Sequence, residues 1–137
     1  MAEDLGAQRG FQGAGVEIDV DLLVAKFGQI AGLGVTSFAL LLDDIPAALQ
    51  HPDDVAAFDS LVDAQIALIA QLRASLTGEL MVAPTTYGGR GDEPYLSRLG
   101  RGIDRDIDIF FTGRAICSPV LETVDAQRFA DATGHPP

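Results

Sequence analysis

Apolar positions along this chain fall into two patterns, short solid runs and stripes at helical spacing, and the two alternate. Residues 1–15 are rich in Gly and Gln and show neither pattern, which predicts a loose leader, with the folded domain beginning only after residue 18. Leu22, Leu23, Phe27 and Ile30, with the stem of Lys26, follow a helical period. A helix is expected there to about Ala31, capped by Asp19 or Asp21 and ended by Gly32 and Gly34. Val35–Leu42 is almost wholly apolar and partly β-branched, as a strand buried on both faces of a parallel sheet reads, and it stops at Asp43-Asp44-Ile45-Pro46. A single long helix is expected from about Pro52 to Leu76, with Phe58, Leu61, Val62, Gln65, Ile66, Leu68, Ile69 and Leu72 on one face. Asp53 and Asp54 sit at its positive end. Glu79–Pro84 reads as a second strand, Pro94–Leu99 as a short helix, Ile107–Thr112 as a third strand and Thr123–Ala132 as a last helix.

The order α-β-α-β-α-β-α over residues 19–137 predicts an α/β domain with parallel strands and right-handed crossovers. Polar residues gather after each strand, the end at which both open α/β sheets and (β/α)8 barrels place their sites. A closed barrel needs eight strands and about 250 residues. Three strands with flanking helices therefore read either as a partial (β/α)8 TIM barrel or as a small open sheet. Unpaired edges in either case invite self-association.

Charge narrows the partners. Twenty Asp and Glu against nine Lys and Arg give a net charge of −11, which repels nucleic acid phosphates and anionic membranes. No apolar stretch approaches the roughly 18 residues of a membrane span. The segment MAEDLGAQRG lacks the basic and apolar regions of a secretory signal, so a cytoplasmic location is the default expectation. Cys117 is the one cysteine, which excludes an internal disulfide and reads as a buried structural thiol.

The sharpest chemical feature is Asp43-Asp44 at the end of an apolar strand. Burial and like-charge repulsion both oppose the second ionisation of such a pair, so one carboxyl can donate a proton while the other stays anionic. The same four residues, Asp-Asp-Ile-Pro, also make good turn or capping chemistry. Tyr87, in a Gly-rich loop after the second strand, is placed to offer a hydrogen bond to a substrate or to pack over its loop; Thr85 and Thr86 read as ordinary loop residues. Arg90-Gly91-Asp92 matches an adhesion tripeptide that recurs by chance, and Asp104, Asp106 and Asp108 alternate without the Gly and Glu of a calcium loop. His51 and His135 have no ligand at metal spacing, and no nucleophile elbow, phosphate loop or dinucleotide fingerprint is complete, so no metal or cofactor is expected.

Three segments together carry a family resemblance. Ser37-Phe38-Ala39-Leu40-Leu41-Leu42-Asp43-Asp44-Ile45 resembles the strand that bears the catalytic pair in family 84 glycoside hydrolases. Val82-Ala83-Pro84-Thr85-Thr86-Tyr87 resembles that family's Cys-Pro-Thr-Glu-Tyr segment. Pro94-Tyr95-Leu96, the run Asp106–Gly113 and Cys117-Ser118-Pro119 resemble its Pro-Tyr-Leu stretch, its Trp-Thr-Gly strand end and its Ser-x-Glu-Ile turn. Thr86 stands where the family has Glu, Phe111 where it has Trp, and Val120-Leu121 where it has Glu-Ile.

The resemblance covers about residues 19–137. It implies part of a barrel that removes terminal N-acetylglucosamine from glycans or glycoproteins, as O-GlcNAc hydrolases and bacterial hyaluronidase-type enzymes do. It implies substrate-assisted retention through an oxazoline, with Asp43 polarising the acetamido group, Asp44 as acid and then base, and Tyr87 binding nearby. The family's earlier strands with a substrate lysine, and its later Trp-Asp-Asn segment, have no counterpart here, so the isolated chain is expected to be weak or inactive. The alternative is a non-catalytic sugar-binding or self-associating α/β module.

Overall fold

The computed structural model describes residues 11–13, 16–18 and 20–136. Within the segment read as a leader, Phe11–Gly13 (β1) and Val16–Ile18 (β2) pair antiparallel, Phe11 opposite Ile18. Asp19, one of the two expected caps, lies outside the described residues. The first helix, Val20–Ala31 (α1), carries Asp21 in its first turn. It turns Val20, Leu23, Val24, Phe27 and Ala31 to the core, while Leu22 and Ile30 face out. Gly34, at φ 93, ends the turn that follows it, a left-handed conformation a side chain would resist.

Ser37–Leu41 (β3), Glu79–Ala83 (β4) and Ile107–Ile109 (β5) form a three-stranded parallel sheet in the order β3-β4-β5, Phe38 opposite Leu80 and Leu80 opposite Ile107. The fold is α/β, three parallel strands with flanking helices. The connection from β3 to β4 is not the one long helix the apolar period predicts. It is two helices, Pro52–Ala57 (α2) and Leu61–Ser75 (α3). The break follows from capping chemistry. Ser60 adopts an extended backbone, its Oγ accepts the Asp63 amide at 3.3 Å, and its hydroxyl donates to the Asp63 carboxylate at 2.6 Å. Pro94–Gly102 (α4) joins β4 to β5, and Thr123–Thr133 (α5) follows β5.

The helices cover one face of the sheet only. Phe38, Leu40 and Leu42 from β3 and its exit, Leu80 and Val82 from β4, and Ile107 from β5 pack under Leu61, Leu68, Ile69 and Leu72 of α3. Leu96, Ile109 and Phe129 form a second cluster where α4 and α5 meet β5. Gly100 lets those two helices touch, since a Cβ there would lie 2.5 Å from the Thr133 Cβ. On the opposite face Leu41 is 67% exposed, Met81 39% and Phe110 49%. The expectation that the first strand is buried on both faces is thus corrected: its residues alternate between exposed and buried, because no described element covers the second face. Such a solid apolar run hides a period of two.

Asp63 also ties α3 to α4. Arg98 donates from Nε and Nη2 to its Oδ1, at 3.1 and 2.7 Å. The Ser60 hydroxyl first, and Arg98 second, hold the Asp63 carboxyl below the usual carboxylate range. A carboxyl depressed in the folded state stabilises the fold above its unfolded value and loses that contribution as pH falls through the folded value. Asp63→Asn is therefore expected to weaken the protein at pH 7 and to narrow the gap between its urea midpoints at pH 7 and about pH 3. An unchanged gap would mean that the pair adds nothing on folding.

Candidate active site at the strand ends

The C-terminal ends of β3, β4 and β5 open into one hollow. The last backbone rung between β3 and β4 is Leu42 N–H to Ala83 O at 2.8 Å, and Asp43 follows at once, half-buried, with Asp44 exposed beside it. After β4, Thr85, Thr86 and Tyr87 are half-buried on the facing lip. A cavity of about 410 Å³ is lined by Asp43, Asp44, Thr85, Thr86 and Tyr87, and is closed by Gly88, Arg114, Ala115 and Ile116. A second, more apolar hollow of about 330 Å³ adjoins it over the open sheet face, sharing Asp43, Tyr87 and Ile116 and floored by Leu41, Met81 and Phe110. The three residues singled out in the sequence therefore converge on one concavity.

The far wall is laced to the Tyr87 loop. Thr112 donates its amide to the Tyr87 carbonyl at 2.8 Å, and Gly89 donates to the Gly113 carbonyl at 2.7 Å. Gly113 sits at φ 83, where a Cβ would meet Leu121 at 2.9 Å, so the turn after β5 needs a glycine. Ser118 Oγ accepts the Ala115 amide at 2.8 Å and closes the next turn. Cys117 in that turn is exposed, which corrects its reading as a buried thiol. Ala115 and Ile116 before it are exposed as well, so the whole turn lies at the surface.

Arg114 was not foreseen, and among the described residues it is the one cation lining the cavity with the two carboxylates. Its Nε donates to Asp125 Oδ1 at 3.0 Å and its Nη2 to Glu122 Oε2 at 3.0 Å. The Asp125 hydrogen bond first, then the charges of Asp125 and Glu122, raise the guanidinium pKa further. Asp125 is itself buried in the first turn of α5, at the positive end of that helix. No motif marks Arg114; the signal lay in its position just past the third strand.

The remaining candidates stand apart from the cavity. His51 caps α2, its Nδ1 accepting the Asp53 amide at 3.3 Å. His135 is buried between the carbonyls of Ile107 and Gly100, each 2.8 Å from a ring nitrogen. Asp104, Asp106 and Asp108 are exposed. Arg90 and Asp92 pair at 3.3 Å in a turn whose amides at Arg90 and Gly91 are held by Glu93. Among the described residues, no three His, Cys, Asp or Glu are grouped to hold a metal, and no helix is long and apolar enough to cross a membrane. Phe111, at the position where the family has Trp, stacks on Phe129 with centroids 4.7 Å apart.

Comparison with solved structures finds the same architecture. The chain is similar to a point mutant of the O-GlcNAc hydrolase of Thermobaculum terrenum, with 25% identity and a TM-score of 0.82, covering 86% of this chain and 27% of that one. It also shares its fold with CpGH84B, with 20% identity and a TM-score of 0.68, covering 85% of this chain and 21% of that one. The chain thus spans about a quarter of the length of these two proteins. A family model described as beta-N-acetylglucosaminidase matches residues 11–137, a span that includes the β1–β2 hairpin and every residue of the cavity. This chain belongs to the β-N-acetylglucosaminidase family, as part of a family 84 glycoside hydrolase domain.

Proposed function

We propose that the chain carries the catalytic carboxylate pair of a retaining β-N-acetylglucosaminidase that removes terminal N-acetylglucosamine from a glycan or glycoprotein. The observation that carries this reading is the meeting of Asp43, Asp44 and Tyr87, from two strand ends, on one cavity. The three parallel strands are read as part of a (β/α)8 barrel, whose sites lie at this same strand end.

In this mechanism the nucleophile comes from the substrate. The carbonyl oxygen of the 2-acetamido group attacks the anomeric carbon, and the bond from that carbon to the leaving oxygen breaks. Asp44, the more exposed carboxyl, gives its proton to the leaving oxygen. Asp43, the more enclosed, accepts a hydrogen bond from the acetamido N–H as positive charge builds on the forming oxazoline. Asp44, now a carboxylate, takes a proton from the water that opens the ring, and the product keeps the β configuration. Tyr87 hydrogen-bonds near the acetamido group. Arg114 lines the same cavity, its guanidinium held by Asp125 and Glu122.

The test is hydrolysis of a chromogenic N-acetyl-β-glucosaminide by the purified chain, beside the matching β-glucoside that lacks the acetamido nucleophile. Weak turnover of the first alone, with the β anomer released first, is the expected result for a chain that spans about a quarter of its structural neighbours. Equal turnover of both would overturn substrate assistance. A second reading, a self-associating α/β module, is favoured by the exposed Leu41, Met81 and Phe110 on a sheet whose outer edges at β3 and β5 are unpaired among the described residues. It gains if a well-folded chain binds itself and turns over neither glycoside.

A further inference from the structure

A closed relay of hydrogen bonds lies under the cavity, at the level where the sheet's own ladder ends. The Thr85 amide donates to the Tyr95 hydroxyl oxygen at 3.0 Å. The Tyr95 hydroxyl donates to Gln65 Oε1 at 2.5 Å. Gln65 Nε2 donates to Thr85 Oγ1 at 2.7 Å, and the Thr85 hydroxyl donates to the Leu42 carbonyl at 2.7 Å. The direction of this relay is fixed. Turning the Gln65 amide over would draw the Thr85 proton away from Leu42 and leave the Tyr95 proton without an acceptor. Burial first of all raises the Tyr95 pKa, so the hydroxyl keeps the proton that the relay needs.

The relay is poorly explained as a contribution to stability. Gln65 is fully buried on the apolar face of α3, between Leu61, Leu68 and Ile69. A buried amide gains little net free energy even when fully bonded, and an aliphatic side chain would serve the core as well. What the relay does supply is connection. It draws α3, α4 and the exits of β3 and β4 onto one residue, Thr85. The Leu42 carbonyl belongs to the peptide that leads into Asp43, and Thr85 stands two residues before Tyr87. Beyond the Leu42–Ala83 rung, it is the side-chain bond from Thr85 that continues the tie between the two strands.

We propose that Gln65, Tyr95 and Thr85 are positioning residues, which set the spacing of the Asp43–Asp44 pair from Tyr87 across the cavity. The proposal rests on the catalytic reading given above. A shift of about 1 Å at a reacting group can cost on the order of 100-fold in rate, so a relay that fixes two facing strand exits acts on rate more than on substrate binding.

Tyr95→Phe keeps the ring and removes the hydroxyl, and Thr85→Val keeps the shape and removes the other. Thr133→Val is the control: it removes a buried hydroxyl of the same kind, bonded to the Phe129 carbonyl at 2.8 Å, on α5 and away from the cavity. In the full chain, Tyr95→Phe and Thr85→Val are expected to lower kcat on the chromogenic N-acetyl-β-glucosaminide by about tenfold or more, with KM changed less than twofold. The backbone amide resonances of Asp43, Asp44, Thr86 and Tyr87 should move in both variants and stay in place in Thr133→Val. Thr85→Ser, which restores a hydroxyl, should bring those resonances back. The proposal is overturned if the four amides keep their shifts in folded Tyr95→Phe and Thr85→Val, or if Thr133→Val changes them as much. A wild-type chain without turnover would count against the catalytic reading alone, because the resonances still decide whether the relay sets the site.

Discussion

Asp44→Asn is expected to lower kcat/KM, which reports the first step alone, by about 10²–10⁴-fold when the leaving group is a simple alcohol, and by far less when it is an activated phenol. A poor leaving group must be protonated as its bond to the anomeric carbon breaks, and Asn has no proton of the required acidity to give. A phenolate leaves unaided, so its departure hardly feels the loss. Asp43→Asn is expected to behave otherwise. In the proposed mechanism Asp43 acts on the acetamido group, which every substrate carries, so its loss should slow both leaving groups by a similar factor. The contrast between the two variants identifies the acid without assuming either role. Equal effects of Asp44→Asn on both leaving groups would reverse the assignment or remove it.

Stability is the control for this experiment. Asp43 is only half-buried and Asp44 is exposed, and neither anchors the core. Their Asn variants should keep the wild-type unfolding free energy, read from urea titration, within about 0.5 kcal/mol. A variant that loses turnover and stability together would say nothing about proton transfer.

The fold was legible where burial and period agree. β4, α4 and α5 lie where the apolar positions put them, because each presents one apolar face at its own period, while β5 starts where expected but spans only Ile107–Ile109 of the expected Ile107–Thr112. The reading failed where two physical effects compete. The stripe from Phe58 to Leu72 runs on as if through one helix, but Ser60 and Asp63 satisfy each other across a cap and end the pattern locally. In the run Val35–Leu42, apolar residues on both faces conceal that one face is open. The carboxylate pair was legible because charge after an apolar strand is conspicuous. Arg114 was not, since one arginine in a loop carries no pattern. Gln65 was counted as part of the apolar face of its helix, and that placement holds. Its amide, however, reaches Thr85, 20 residues on, and Tyr95, 30 residues on. Sequence spacing predicts neighbours within an element and says little about such meetings between elements.

Phe129→Ala is expected to be the most damaging single truncation in the core, at about 3–5 kcal/mol. Phe129 is fully buried on α5. Its ring stacks on Phe111 at an interplanar angle of 18° and packs with Leu96 and Ile109 in a cluster that joins α5 to the sheet. Among the described residues that cluster has three buried members, with Tyr95, Ile103 and Phe111 packed at its edge, so few neighbours can move to fill the hole left by one phenyl. Folded domains are stable by about 5–15 kcal/mol, so this loss would take roughly a fifth of the total at the least and nearly all of it at the most. The damage should reach the cavity by a definite route. α5 carries Asp125, Asp125 holds Arg114, and Arg114 stands beside Ala115 and Ile116 in the cavity wall. Amide exchange in residues 113–118 should therefore quicken in Phe129→Ala well before α1 or β3 loses protection. Phe129→Leu, which leaves a smaller hole, should recover more than half of the lost stability. An unfolding free energy for Phe129→Ala within about 1 kcal/mol of wild type would show that α5 is not anchored through this ring, and the link from core to cavity would have to run through the Arg114 ion pairs alone.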